Sequence, residues 1–242
     1  MVHASLRAVG AVDGGAAGVV RALDAAVGDD GTLLMVLGAS DDWAWVNDRP
    51  EGDRAALLAE AEPFDPLMTP AESDVGVLAE VFRQLPGTRV SNHPEGRFAA
   101  RGRLAGAFVS CVPWHDYYGP GSPLERLVEA GGKVLRLGAD ANTVTLIHYA
   151  EYLADVPHKR RVRRFRRVRG ANGPEIRIVD CLDDSEGIVA WPGDDYFGVI
   201  LGEYLAAHPS PRGRVGNASS ELIDARALAA FAAAWMTERF RE

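Results

Sequence analysis

The chain has 242 residues, 47% of them hydrophobic and 25% charged, enough for one α/β domain spanning residues 1–242 with a core of ordinary size. Twenty-six Lys and Arg stand against 34 Asp and Glu, and the net charge of −8 argues against a nucleic-acid partner and suits a cationic ligand. Cys111 and Cys181 are far apart with no CxxC pattern, and no run reaches about 18 apolar residues, which excludes a zinc site, a disulfide framework and a membrane span and points to the cytoplasm.

In chain order, Gly14 and Gly15 lead into "AAGVVRALDAAVG", where Val19, Val20, Leu23 and Val27 recur at helical spacing and Gly28 supplies a stop. "GTLLMVLG" (31–38) is a glycine-bounded apolar run and reads as a buried strand. Residues 39–74 carry turn formers, tryptophans and acids, and read as a long loop with one helical turn near 53–61. Asp74 caps a helix in "DVGVLAEVFRQLPG", with Val77, Leu78, Val81, Phe82 and Leu85 on its inner face and Pro86 and Gly87 at its end. A short strand near 97–100, a helix at 122–129 opened by Ser122 and Pro123, and the strand 133–138 follow. After a turn at Gly138 comes a helix at about 142–154. "PHKRRVRRFRRVRG" and "PEIRIVDCLDD" read as two strands, and 195–207 and 221–240 as helices, the last amphipathic.

The segment that carries chemistry is "TLIHYAE", where Thr145, His148 and Glu151 recur at intervals of three in otherwise apolar or aromatic surroundings. On a helix, residues three apart can meet. A carboxylate on one imidazole nitrogen fixes the tautomer and leaves the other nitrogen free to accept a proton, and Thr145 adds a hydroxyl one turn earlier. The unit is a strand, a turn and a helix, whose junction is where α/β folds expose reactive groups.

The strings "VHASLRAVGAVDGGAAGVVRALDAAVG", "PFDP", "SNHPEGRFAARG", "GPGSPLERLVEAGGKVLRLGA", "NTVTLIHYAEYLADVPHKRRV", "DDSEGI" and "VGNASSELIDARALAAFAAAW" occur in this order. Together they resemble the aminoglycoside 3-N-acetyltransferases over nearly the whole chain. The resemblance implies a three-layer α/β sandwich with a mixed central sheet, distinct from the common N-acetyltransferase (GNAT) fold. It implies transfer of acetyl from acetyl-CoA to the 3-amino group of a deoxystreptamine ring, with antibiotic resistance as the consequence. The phosphate-cradling string of the common fold is missing, the nearest approach being "RLAGAF", where Phe108 occupies the last small position.

The resemblance also implies roles. His148 is the base and Glu151 its acid partner. Ser5, Leu6 and Arg7 of the "HASLR" turn and Ser91 of "SNHP" line the coenzyme groove. Asp183 and Asp184 match a segment that contacts sugar amines, and the position of a gap decides which of the two. Relatives usually have a further N-terminal helix and the start of a strand before "VHASL", whereas this chain starts at Met1 beside it.

Charge adds Asp65 and the Asp41 and Asp42 pair as candidate substrate carboxylates, with turn and capping roles equally open to these three. Trp43 and Trp45 offer flat faces for sugar rings. The basic run 158–169 holds eight Lys and Arg and reads as a solvated strand face, with Lys159 or Arg160 a candidate contact to coenzyme phosphates. In the expected reaction His148 takes the proton of the attacking amine, Glu151 orients the ring, and Thr145 or a backbone N–H holds the developing oxyanion. No metal is required, and the protein is expected as a monomer or homodimer. Two other readings stand beside this one: a same-fold enzyme that acetylates another amine, and a catalytically silent protein that binds CoA or a cationic ligand.

Overall fold

The computed structural model describes residues 1–38, 42–193 and 195–241. Its elements are β1 (Val2–Ala4), α1 (Leu6–Val9), α2 (Gly15–Val27), β2 (Thr32–Val36), α3 (Glu51–Leu57), α4 (Val77–Gln84), β3 (Arg89–Val90), β4 (Phe98–Gly102), α5 (Ala105–Val109), α6 (Pro123–Glu129), β5 (Lys133–Leu137), α7 (Leu146–Leu153), β6 (Arg161–Gly170), β7 (Gly173–Leu182), α8 (Tyr196–Ala207), β8 (Arg212–Val215), β9 (Ala218–Asp224) and α9 (Ala225–Arg239).

Strand side chains alternate between two faces, and here both faces are buried. Leu34 and Val36 of β2, Phe98 and Ala100 of β4, Val134 of β5 and Ile223 of β9 enter one apolar cluster with α5 to α9. Leu33 and Met35, Ala99, Leu137 and Ala218, their neighbours on the same strands, enter a second cluster with Val19 and Val20 of α2 and Leu78 and Phe82 of α4. The result is the expected three-layer sandwich. Its mixed sheet has the order β1-β5-β9-β8, with β1 parallel to β5 and the other pairs antiparallel. An antiparallel sheet β2-β4-β3 continues it where β1 runs beside β2, and β6 and β7 form a separate hairpin.

The helices expected near 15–27 and at 122–129 form as read, the second with Ser122 accepting a hydrogen bond from the Glu125 N–H. Three expectations are corrected. Asp74 does not cap α4; Gly76, at φ 85°, precedes it, and Val77 points outward at 60% exposure. The long loop read with one helical turn near 53–61 does carry helix there, but more of it, α3 running on into a 3₁₀ turn at Leu58–Glu60, and it holds a further 3₁₀ turn at Ala44–Asp48. The last helix begins at Ala225, capped by Asp224, because 218–224 is strand β9 between β5 and β8.

The parallel strands β1 and β5 end side by side, and their chain exits build the site. From β1 the backbone turns at Ser5, whose side chain caps α1 by accepting from the Ala8 N–H at 3.3 Å. From β5 it turns at Gly138, where φ is 63° and a Cβ would lie 2.7 Å from the Ala8 methyl and 2.8 Å from that of Ala218. Glycine is therefore required there on conformational and steric grounds. The following residues lead through a 3₁₀ turn, Ala141–Thr143, into α7.

Candidate active site

Two cavities meet off the C-terminal ends of β1 and β5. The larger, about 890 Å³, runs past Ser5, Leu6 and Arg7 to Thr145 and His148. The smaller, about 500 Å³, is walled by Glu151, Glu186, Asp195, Trp191 and Phe197. Asn142, His148, Asp184 and Ser185 line both.

His148 sits on this seam because α7 buries Leu146, Ile147, Tyr149 and Ala150 and leaves its third residue at the cavity edge. Its Nδ1 lies 2.8 Å from Glu151 Oε2. Against a carboxylate Nδ1 carries the proton, and the Nε2 lone pair is left for the cavity; among the described residues no protein group hydrogen-bonds Nε2. The ring stacks on Tyr118 at 5.0 Å and meets the edge of Phe197 at 4.7 Å, so its plane is fixed on both sides. The Glu151 side chain is 1% exposed, and its other oxygen accepts from the Tyr196 hydroxyl. Burial alone lowers the His148 pKa, but the charge and hydrogen bond of Glu151, with Asp184 and Asp195 further off, outweigh it and raise it above the ordinary 6.5.

Thr145 stands at the entry to α7 and lines the larger cavity, its hydroxyl 3.5 Å from the Thr143 carbonyl. Ser5, Leu6 and Arg7 line the same cavity, with Arg7 exposed. Ser91 does not line either cavity. It is fully buried, its hydroxyl donating to the Gly96 carbonyl at 3.0 Å and accepting from the Phe98 N–H at 2.8 Å. The same "SNHP" turn instead presents Glu95 to the larger cavity: His93 Nδ1 accepts from the N–H groups of Glu95 and Gly96, and burial holds this histidine neutral, its pKa down to about 4.

The two aspartates of "DDSEG" part ways. Asp183 points inward and closes a turn by accepting from the Ser185 and Glu186 N–H groups at 3.1 and 2.9 Å. Asp184 faces both cavities, accepting from Arg164 at 2.6 Å and from the Tyr117 hydroxyl at 2.5 Å. Burial would raise its pKa, but Arg164, His148 and these hydrogen bonds bring it below the usual carboxylate range. Asp65 lies outside both cavities and closes a turn, accepting from the Leu67 and Met68 N–H groups at 2.9 and 3.1 Å, and it pairs with Arg169 at 3.5 Å. Asp42 lines neither cavity, and Asp41 lies outside the described residues.

The basic run is not a uniformly solvated face. In β6, Arg161, Arg163 and Arg169 are exposed, whereas Arg164 and Arg166 turn into the larger cavity, where Arg166 pairs with Glu95 and Arg164 lies 3.8 Å from it. Lys159 donates to the Tyr152 carbonyl at 3.3 Å and lines neither cavity; Arg160 borders the smaller one and donates to the Glu186 carbonyl at 2.9 Å. Sequence reasoning did not find Glu95, Tyr117, Tyr118, Asn142, Arg164 or Tyr196. The period-two parity of β6 was the one signal that separated the inward arginines from the outward ones.

Residues 1–237 match the family model described as aminoglycoside 3-N-acetyltransferase. The chain belongs to this family. Aminoglycoside N(3)-acetyltransferase VII of Streptomyces paromomycinus is 38% identical over 246 residues, covering 99% of this chain and 85% of that relative. Among solved structures, AAC-IIIb in its binary complex with CoASH superposes with a TM-score of 0.92 at 39% identity, covering 100% of this chain and 90% of the other. The sisomicin-bound AAC-VIa superposes with a TM-score of 0.91 at 35% identity, covering 99% and 91%. Membership of the aminoglycoside 3-N-acetyltransferase family makes this chain an acetyltransferase of the three-layer α/β kind.

Proposed function

We propose that this enzyme, acting as one domain, transfers acetyl from acetyl-CoA to the 3-amino group of deoxystreptamine aminoglycosides, with His148 as general base. One observation carries the reading: a histidine tethered to a buried carboxylate stands on the seam between two cavities of different character. The smaller cavity gathers Glu151, Asp184, Glu186 and Asp195 against Arg160, which suits a polycationic acceptor. The larger has a mixed lining, with Arg7, Arg164 and Arg166 beside Glu72, Asp74, Glu95 and Asp140, and is of a size for a long ligand whose phosphates the exposed Arg7 guanidinium can meet, which suits a coenzyme. CoASH in one relative and sisomicin in another support this pair of ligands.

Acetyl-CoA supplies the activated acetyl thioester. The residues of this chain manage the proton and the geometry. His148 Nε2 accepts the proton that the amine must lose on attack, which contributes on the order of 10²–10⁴-fold. Glu151 holds the Nδ1–H tautomer and stabilises the imidazolium that results, and Tyr196 fixes Glu151 in turn. Thr145 offers its hydroxyl to the carbonyl oxygen from the larger cavity.

The test is release of free thiol from acetyl-CoA with a panel of gentamicin, sisomicin and tobramycin, followed by NMR of the product. Acetyl on the deoxystreptamine 3-amino group is the expected result; acetyl on an amine outside that ring, or no transfer by the folded protein, refutes the reading. Transfer to a non-antibiotic amine alone would mark a same-fold enzyme of different substrate.

The acidic wall makes a second test. Asp184→Asn is expected to raise the aminoglycoside KM and weaken its salt dependence. It should also lower stability by ~3 kcal/mol, because Arg164 loses its closest charge partner. Asp183→Asn should lower the melting temperature through its turn while leaving the salt dependence of KM as it was. Equal salt dependence in all three proteins would mean that Asp184 faces no substrate charge.

A further inference from the structure

We infer that Trp191 is the platform on which an amino-sugar ring of the acceptor packs, and that it sets acceptor affinity; the inference rests on the functional reading above. Trp43 and Trp45, the sequence candidates for this role, stack on each other with centroids 6.1 Å apart and line neither cavity. Trp191 lines the smaller cavity, where Glu151, Asp184, Glu186 and Asp195 stand against Arg160. It shares that wall with two other aromatic rings, and both are already committed. The Tyr196 hydroxyl is held by Glu151, and Phe197 lies against the imidazole of His148. The half-buried indole of Trp191 is the remaining aromatic ring on that wall and keeps part of its surface accessible.

The indole is also held in place. Trp235 at 5.5 Å, Phe240 at 5.7 Å and Tyr196 at 6.2 Å pack around it, so its orientation is set before anything binds. A polycationic sugar needs two things from such a pocket. Carboxylates attract its ammonium groups, and a rigid flat face takes the C–H side of a pyranose ring, which hydrogen bonds cannot satisfy. Glu186 and Asp195 on the same wall supply the first, and Trp191 the second. Because Trp191 is absent from the larger cavity, its effect falls on the acceptor and not on acetyl-CoA.

Calorimetric binding of tobramycin to the protein without acetyl-CoA, together with steady-state KM values for both substrates, tests this in Trp191→Leu and Trp191→Phe. The Leu variant is expected to lose about tenfold in tobramycin Kd and KM, with the Phe variant recovering most of the loss and acetyl-CoA KM unchanged in both. A tobramycin Kd within twofold of wild type in the Leu variant, or a parallel loss for acetyl-CoA, overturns the inference. Wild-type turnover with an unaffected Leu variant would sink the platform alone, whereas wild-type protein that neither binds nor acetylates tobramycin would sink the functional reading with it. If the Leu variant does not fold, the Phe variant decides. Of the five tryptophans, Trp191 should carry the change in emission on tobramycin binding, so that change must vanish in Trp191→Phe, and its persistence overturns the inference.

Discussion

Replacing His148 by alanine is expected to lower acetyl transfer at least about a hundredfold while acetyl-CoA still binds. The side chain is 18% exposed on the cavity seam, so truncating it opens space to water and seals no void in the core. The cost to stability is confined to Glu151, whose Oε2 loses a partner while Oε1 keeps Tyr196. His148→Asn separates the two effects, since an amide N–H stands near the place of Nδ1 and keeps the carboxylate partnered but brings no base. Both variants should fail alike in single-turnover transfer, and the asparagine form should melt closer to wild type. Either one retaining more than about a tenth of wild-type turnover would contradict a general-base contribution of this size.

How much of this was legible in the chain depends on how far apart the interacting residues lie. The His148 and Glu151 pair is local, and three-residue spacing on a helix determines that the two side chains meet. The apolar run of β2 was legible because a strand covered on both faces is apolar nearly throughout. Strand β9 was not, since "ASSELID" places serines and acids on a ladder whose burial comes from β5 and β8 on either side. The same holds for the site walls. Glu95, Tyr117, Arg164 and Asp184 form one network across residues 95–184, held by ion pairs and hydrogen bonds that no local pattern announces. Ser91 and Asp65 line neither cavity, and their side chains are engaged by nearby backbone groups, the usual employment of serine and aspartate beside turns, with Arg169 a further partner of Asp65.

Glu151→Gln is expected to move the pH profile as well as the rate, and the direction of that movement separates an electrostatic role from mere packing. In the wild type, burial pulls the His148 pKa down, and Glu151 together with Asp184 and Asp195 pulls it up by more, so the midpoint lies above 6.5. Only the neutral imidazole accepts a proton, so kcat/KM rises with pH through that raised value and levels off above it. Glutamine removes the charge and leaves the burial, and the acid limb must therefore shift to lower pH. The plateau must fall at the same time. An amide turned with its oxygen to Tyr196 presents N–H to Nδ1, which favours the tautomer carrying its proton on Nε2 and takes the lone pair away from the cavity. A loss on the order of 10-fold, smaller than that of His148→Ala, follows from the wrong tautomer and the unsupported imidazolium. The measurement is kcat/KM for an aminoglycoside from pH 5 to about 10 in both proteins, within the range that the raised His148 pKa and the amine titrate. A lower plateau with an unmoved midpoint would mean that the Glu151 charge does not act on His148 and would reduce it to a spacer, and a midpoint displaced to higher pH would contradict the sign of its effect.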